Sequence, residues 1–128
     1  MAEKKFDLED RLIDFAVVII NFVETLPNRK AANHLGGPLL RSGTSPTRNY
    51  GEARSAESRN DFIHKMKICL KELRESDNCL RIFHRAGIYD SEKQIQFLLE
   101  ECNELISIFV KSISTASIKE TGSKSELV

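Results

Sequence analysis

Apolar residues recur along most of this chain at spacings of three and four, the rhythm of helices with one buried face, and the rhythm fails between Pro27 and Asp61. In the first rhythmic stretch Leu8, Leu12, Phe15, Ile19, Phe22 and Leu26 fall on one side, which predicts a helix over Leu8 to Thr25. Asp7 can cap it, and Glu9 and Asp10 stand in its first turn, where the helix dipole favours carboxylates. Pro27 ends it, because proline donates no backbone hydrogen bond and biases Leu26 away from helical angles. Ile13, Val17, Val18 and Ile20 stand off the core stripe, so the helix is apolar over more of its surface than one core requires. That excess points to a subunit interface.

The same spacing returns in Phe62, Met66, Cys69, Leu73, Leu80 and Phe83, interrupted at Ser76, and predicts a long helix from Arg59 to Ala86. Ser58 and Asp61 form an S-x-x-D start, Gly87 supplies a left-handed stop with Ile88 behind it, and Arg81, His84 and Arg85 sit in the last turns. Ser91 with Gln94 makes a capping box for a further helix, whose face carries Ile95, Leu98, Cys102, Leu105, Phe109 and Ile113. Past Ala116 the periodicity is lost, so the folded unit is expected over residues 1–116 and a disordered tail over 117–128. The segment from Ala31 to Arg54 holds Gly36, Gly37, Pro38, Gly43, Pro46 and Gly51, and propensity alone predicts a loop with a short helix there. No strand alternation and no internal repeat is present.

A length of 128 residues suits one domain. The 19 basic and 19 acidic residues cancel, so partners must be sought in how charge is distributed. From Arg41 to Arg85 there are ten Lys or Arg against six Asp or Glu, and from Ala86 onward four against seven, so the middle is basic and the end acidic. Cys69, Cys79 and Cys102 are odd in number and form no C-x-x-C pair, which fits small apolar filler in a reducing cytoplasm. The amino terminus shows no apolar signal segment, and Phe15 to Ile20 is far shorter than the roughly 20 residues a membrane span needs. A soluble cytoplasmic protein with no membrane partner is expected.

Chemistry-bearing residues concentrate on the helix from Arg59. His64, Lys67, Lys71, Arg74, Asn78, Arg81 and Arg85 alternate in spacings of three and four, opposite the Phe62 stripe. Such a ridge could neutralise successive phosphates of RNA or DNA, or it could be a solvated face with Glu75 pairing Lys71. Arg41 and Arg48, one heptad apart, could extend that surface or pair across subunits with Glu52 or with Glu100, Glu101 and Glu104, the second being the favoured reading. Asn49 and Glu52 are read as holding their segment to its neighbours by hydrogen bonds. Asp61 and His64 give one D-x-x-H spacing, and a di-iron bundle would need that kind of pair repeated. RSGTS lacks the Lys-Ser/Thr ending of a phosphate-binding loop, and no nucleophile elbow, triad or zinc spacing occurs. No metal, cofactor or enzymatic activity is expected.

Four short blocks carry a resemblance: Arg41-Ser42-Gly43-Thr44-Ser45, Asn49-Tyr50-Gly51-Glu52-Ala53, Ser58 with Asp61-Phe62, and Ala86-Gly87. In order and spacing they look like the R-S-G-T-S, N-Y-x-E-A, S-x-x-D-F and A-G patterns of the bacterial four-helix-bundle proteins related to 23S rRNA intervening-sequence proteins. That likeness implies a helix through the Gly- and Pro-rich segment, kinked near Pro46. With it the chain becomes an all-α antiparallel up-and-down four-helix bundle. The resemblance further implies a homopentameric ring around a central channel, with Arg41, Ser45, Asn49, Glu52 and Asp61 in structural or interface roles. A related branch comprises accessory proteins of diversity-generating retroelements, pentameric bundles that bind a reverse transcriptase and nucleic acid. Where many members have an aliphatic residue, Gly and Ala after the serine, this chain has Pro46, Thr47 and Arg48. Two readings follow: an oligomer whose ridge touches RNA or DNA, and a structural or protein-binding scaffold with no nucleic-acid contact.

Overall fold

The computed structural model describes residues 7–120, which form α1 (Leu8–Glu24), α2 (Lys30–Arg54), α3 (Arg59–Ala86) and α4 (Glu92–Glu120). Residues 121–128 of the expected tail lie outside the described residues, and α4 runs four residues past Ala116, the expected limit of the bundle. Among the described residues no helix is long and apolar enough to cross a membrane.

Three of the four starts are set by side chains one residue outside the helix. Asp7 Oδ1 accepts the Asp10 N–H at 3.1 Å, Ser58 Oγ the Asp61 N–H at 3.0 Å and Ser91 Oγ the Gln94 N–H at 3.1 Å. Gly87, at φ 70°, stops α3 in the left-handed region, and the Ile88 N–H returns to the Phe83 carbonyl at 2.9 Å.

Each helix packs on its sequence neighbour, and α4 returns to α1 to close the core. Phe15, Phe22, Phe83 and Phe109 are fully buried with Leu39, Met66, Leu73, Ile95 and Leu98, so the three-four stripes of α1, α3 and α4 face inward. Phe22 meets Phe83 edge to face with centroids 5.4 Å apart, and Tyr50 of α2 meets Phe109 at 6.0 Å.

The unbroken α2 overrides propensity. Ala32, Leu39, Pro46 and Ala53 are buried along it, and tertiary burial outweighs a handful of poor helix formers. Gly43 is the glycine the packing requires, since a Cβ there would stand 2.8 Å from Ile19 Cγ1 and 2.9 Å from Cγ2. Gly36 has ordinary room, and a Cβ on Gly37 or Gly51 would meet nothing within 4 Å. The close approach of the Ile19 side chain therefore explains one glycine of the segment, not the set. Pro46 has no N–H to offer, yet its carbonyl accepts the Cys69 thiol at 3.6 Å.

Ser76, which interrupts the apolar stripe of α3, is fully buried. Its hydroxyl lies 2.8 Å from that of Ser42, so each satisfies the other across the α2–α3 seam. The further contacts along that seam are Leu35 with Cys79, Asn49 with Glu72 and Glu52 with Lys65.

Candidate functional site

The long α3 carries the basic ridge as one exposed face: His64, Lys67, Lys71, Arg74, Asn78, Arg81 and Arg85 are all exposed, while Met66, Cys69, Leu73, Leu80 and Phe83 are buried behind them. At about 1.5 Å per residue the ridge spans roughly 30 Å. Arg81 Nη1 lies 3.6 Å from Asp77 Oδ2, one turn earlier. Among the described residues His64, Lys67, Lys71, Arg74 and Arg85 have no carboxylate within 4 Å. Glu75 does not pair with Lys71, so a face neutralised by that helical pair is not what the chain builds.

Arg41 and Arg48 lie elsewhere. Together with Pro38, Ser42 and Ser45 of α2 and Glu72, Glu75 and Cys79 of α3 they line an open groove of about 640 Å³. Both arginines are exposed, and among the described residues neither has a carboxylate within 4 Å. The carboxylates expected to meet them are largely engaged within the chain. Arg11 grips Glu101 through two bonds, Nε to Oε2 at 2.9 Å and Nη2 to Oε1 at 2.7 Å, and reaches Glu104 at 2.8 Å. Lys65 takes Glu52 at 2.8 Å. Of the four acids proposed as partners for Arg41 and Arg48, Glu100 alone has no such contact, because α1 packs against α4 and brings Arg11 to the other helix's acids first.

Asn49 Nδ2 donates to both oxygens of Glu72 at 3.0 Å. Burial nevertheless pushes the Glu72 carboxyl above its usual range, against the Asn49 hydrogen bonds and the fields of Arg48 and Lys71. Ser45 is buried beneath the groove. The backbone N–H of Asp61 closes the α3 cap, and its carboxylate adds to the field that raises Lys65. Cys69 is buried with its thiol pushed up to about 12, Cys102 is shifted in the same direction, and burial is the first cause in both. These thiols serve as packing rather than as nucleophiles. Among the described residues no three His, Cys, Asp or Glu side chains gather where they could hold a metal ion.

The fold and the blocks that build this surface can be set beside known proteins. Residues 4–111 match the model of the 23S rRNA-intervening sequence protein family. The chain belongs to that family. It is similar to a solved structure from Bacteroides thetaiotaomicron VPI-5482, a protein of unknown function from the S23 ribosomal protein family. The two are 33% identical, the match covers 84% of this chain and 98% of that one, and the TM-score is 0.76. No match is found among curated proteins.

In this chain the R-S-G-T-S block supplies Ser42 to the hydroxyl pair, Gly43 to the Ile19 contact and Arg41 and Ser45 to the groove. N-Y-x-E-A supplies Asn49 to Glu72, Tyr50 to Phe109 and Glu52 to Lys65. Arg11 and Glu72 are absent from the sequence reading, and Ser76 enters it only as the break in the apolar stripe of α3. Ser76 carried a signal, a polar residue in a core phase, whereas Arg11 and Glu72 acquire their partners only when helices distant in sequence meet.

Proposed function

We propose that this protein is a non-enzymatic, oligomeric interaction module of the bacterial cytoplasm that holds RNA or DNA along the exposed face of α3. One observation carries the reading: His64, Lys67, Lys71, Arg74 and Arg85 line a single face roughly 30 Å long with no carboxylate within 4 Å of any of them. A surface that met only water would gain from neutralising such a row internally, and Glu75 is spaced to do so but does not. The bundle is read as up-and-down and antiparallel, with α2 bent at Pro46, and as assembling into the homopentameric ring that the family resemblance implies. Ile13, Val17 and Ile20, each more than 40% exposed on α1, support assembly.

The test is fluorescence anisotropy of a short labelled RNA and a matched DNA at several salt concentrations. Affinity should fall steeply with salt, log K changing by about 0.7 per phosphate neutralised on a single strand for each decade of salt. Lys67→Glu, Lys71→Glu and Arg74→Glu together should abolish binding without unfolding the bundle. If wild-type protein fails to bind even at low salt, the partner is another protein and the module is a scaffold.

A further inference from the structure

The charges of α1 are divided by face. Glu9 pairs with Arg54 of α2 at 3.1 Å, and Arg11 pairs with Glu101 and Glu104 of α4, so the sides turned toward its own bundle are neutralised. Asp7, Asp10 and Asp14 are exposed and, among the described residues, have no cation within 4 Å. Their crowding lifts the Asp10 carboxyl above its usual range, with the charge of Asp7 as the first cause. Beyond Asp14 the helix exposes Val17, 48% exposed, and Ile20, 42%, before the polar Asn21 and Glu24 near its end.

The groove between α2 and α3 presents the opposite arrangement. Arg48 and Arg41 follow one another along its wall, one heptad apart, and neither has a carboxylate within 4 Å among the described residues, although the field of Arg48 reaches Glu52 and Glu72. Pro38 comes next, opposite Cys79, and Ile82, 50% exposed, stands one turn beyond Cys79 on α3. Ser42 and Ser45 are small and leave the floor low enough for a neighbouring backbone to approach. Glu72 is tied to Asn49 and Glu75 stands with it on the α3 side, so an incoming anion is steered to the α2 wall.

We infer that α1 of one copy docks in the α2–α3 groove of the next, Asp7 and Asp14 facing Arg48 and Arg41, and Val17 and Ile20 facing Pro38 and Ile82. Asp7 and Asp14 share the heptad spacing of the two arginines, about 10 Å along an axis, with Asp10 between them. One direction alone satisfies both halves of the contact, since reversing α1 would set Asp14 against Arg48 and carry Val17 and Ile20 on to Gly51 and Arg54. The two surfaces differ, so the contact is head-to-tail and repeats from copy to copy until a ring closes. The ridge cations are not among the groove's lining residues, so docking leaves them open. This pairing rests on the oligomeric reading above and says which surfaces make it.

The test is sedimentation and light scattering of the full chain. Wild type should sediment as an oligomer of the 14.5 kDa chain. Arg41→Glu should give smaller species, and so should Asp14→Lys, which leaves the Asp7 cap in place. The Arg41→Glu, Asp14→Lys double variant should regain the wild-type mass, and the two single variants mixed in equal amounts should form larger species. Circular dichroism reports folding, and the milder Arg41→Gln with Arg48→Gln pair should still weaken assembly at least tenfold. Oligomers that persist unchanged in both folded single variants would overturn the pairing and leave the oligomeric reading standing. Folded single variants that are smaller and assemble neither on mixing nor in the double variant would overturn it as well. A monomeric wild type would overturn both.

Discussion

Gly43 and Gly51 are the same residue in the same helix with opposite consequences. A methyl at Gly43 would press on the branch atoms of buried Ile19 at 2.8 and 2.9 Å, so Gly43→Ala should destabilise by about 1–3 kcal/mol through overpacking. A methyl at Gly51 meets nothing within 4 Å, so Gly51→Ala should stabilise by roughly 0.5–1 kcal/mol as the unfolded chain loses freedom. Chemical denaturation of both variants reads the signs directly. The Ser42–Ser76 pair behaves differently again. Ser42→Ala orphans the Ser76 hydroxyl and should cost about 1–3 kcal/mol, whereas Ser76→Ala leaves Ser42 Oγ its bond to the Leu39 carbonyl at 3.4 Å and should cost less, and the double change should cost less than the two singles summed. For Glu72 the sign follows from burial. Its folded pKa is raised, so the stability present while it is protonated is lost as pH rises through the carboxylate range. Glu72→Gln should therefore raise the melting temperature at neutral pH, with the gain shrinking toward pH about 4. An equal gain at both pH values would show that desolvation is not the cause.

At the scale of elements, α1 is held to α4 by Arg11 and to α2 by Gly43 and Glu9. The Arg11 fork on Glu101 is part-buried and bidentate, so Arg11→Ala should cost on the order of 1 kcal/mol. Glu52→Ala, which removes an exposed contact to Lys65, should leave the melting temperature unchanged. The contrast separates geometry from mere proximity of opposite charges. α2 shows how far an element can depart from its own propensities: Pro38 and Pro46 stand inside a 25-residue helix because Leu39, Ala53 and the Tyr50 ring bury against three neighbours.

For the molecule as a whole, neutrality conceals segregation. Zero net charge coexists with a basic face on α3 and an acidic outer face on α1. Ile13→Asp or Val17→Asp should shift sedimentation to smaller species with helicity retained, because a charge placed among exposed apolar residues costs little in a monomer and much in an interface. Unchanged mass would remove α1 from the assembly. Ridge reversal and α1 substitution should act on separate readouts, the first on polyanion binding and the second on mass.

The sequence by itself determined α1, α3 and α4 nearly to the residue at their starts, because caps and three-four stripes are local and Asp7, Ser58, Ser91 and Gly87 announce them. It also contained the ridge, since spacing within one helix is enough to put seven residues on one face. Only the tertiary structure decided which charges are spent. Arg11 and Glu101 are 90 positions apart, and no periodicity shows that they will meet. The same holds for Ser42 with Ser76 and Asn49 with Glu72, whose partners are set by helix register. Residues 31–54 illustrate the reason most sharply: local propensity there disfavours helix, and the family likeness rather than the propensities indicated one. Burial against α1, α3 and α4 supplies the free energy that local terms lack.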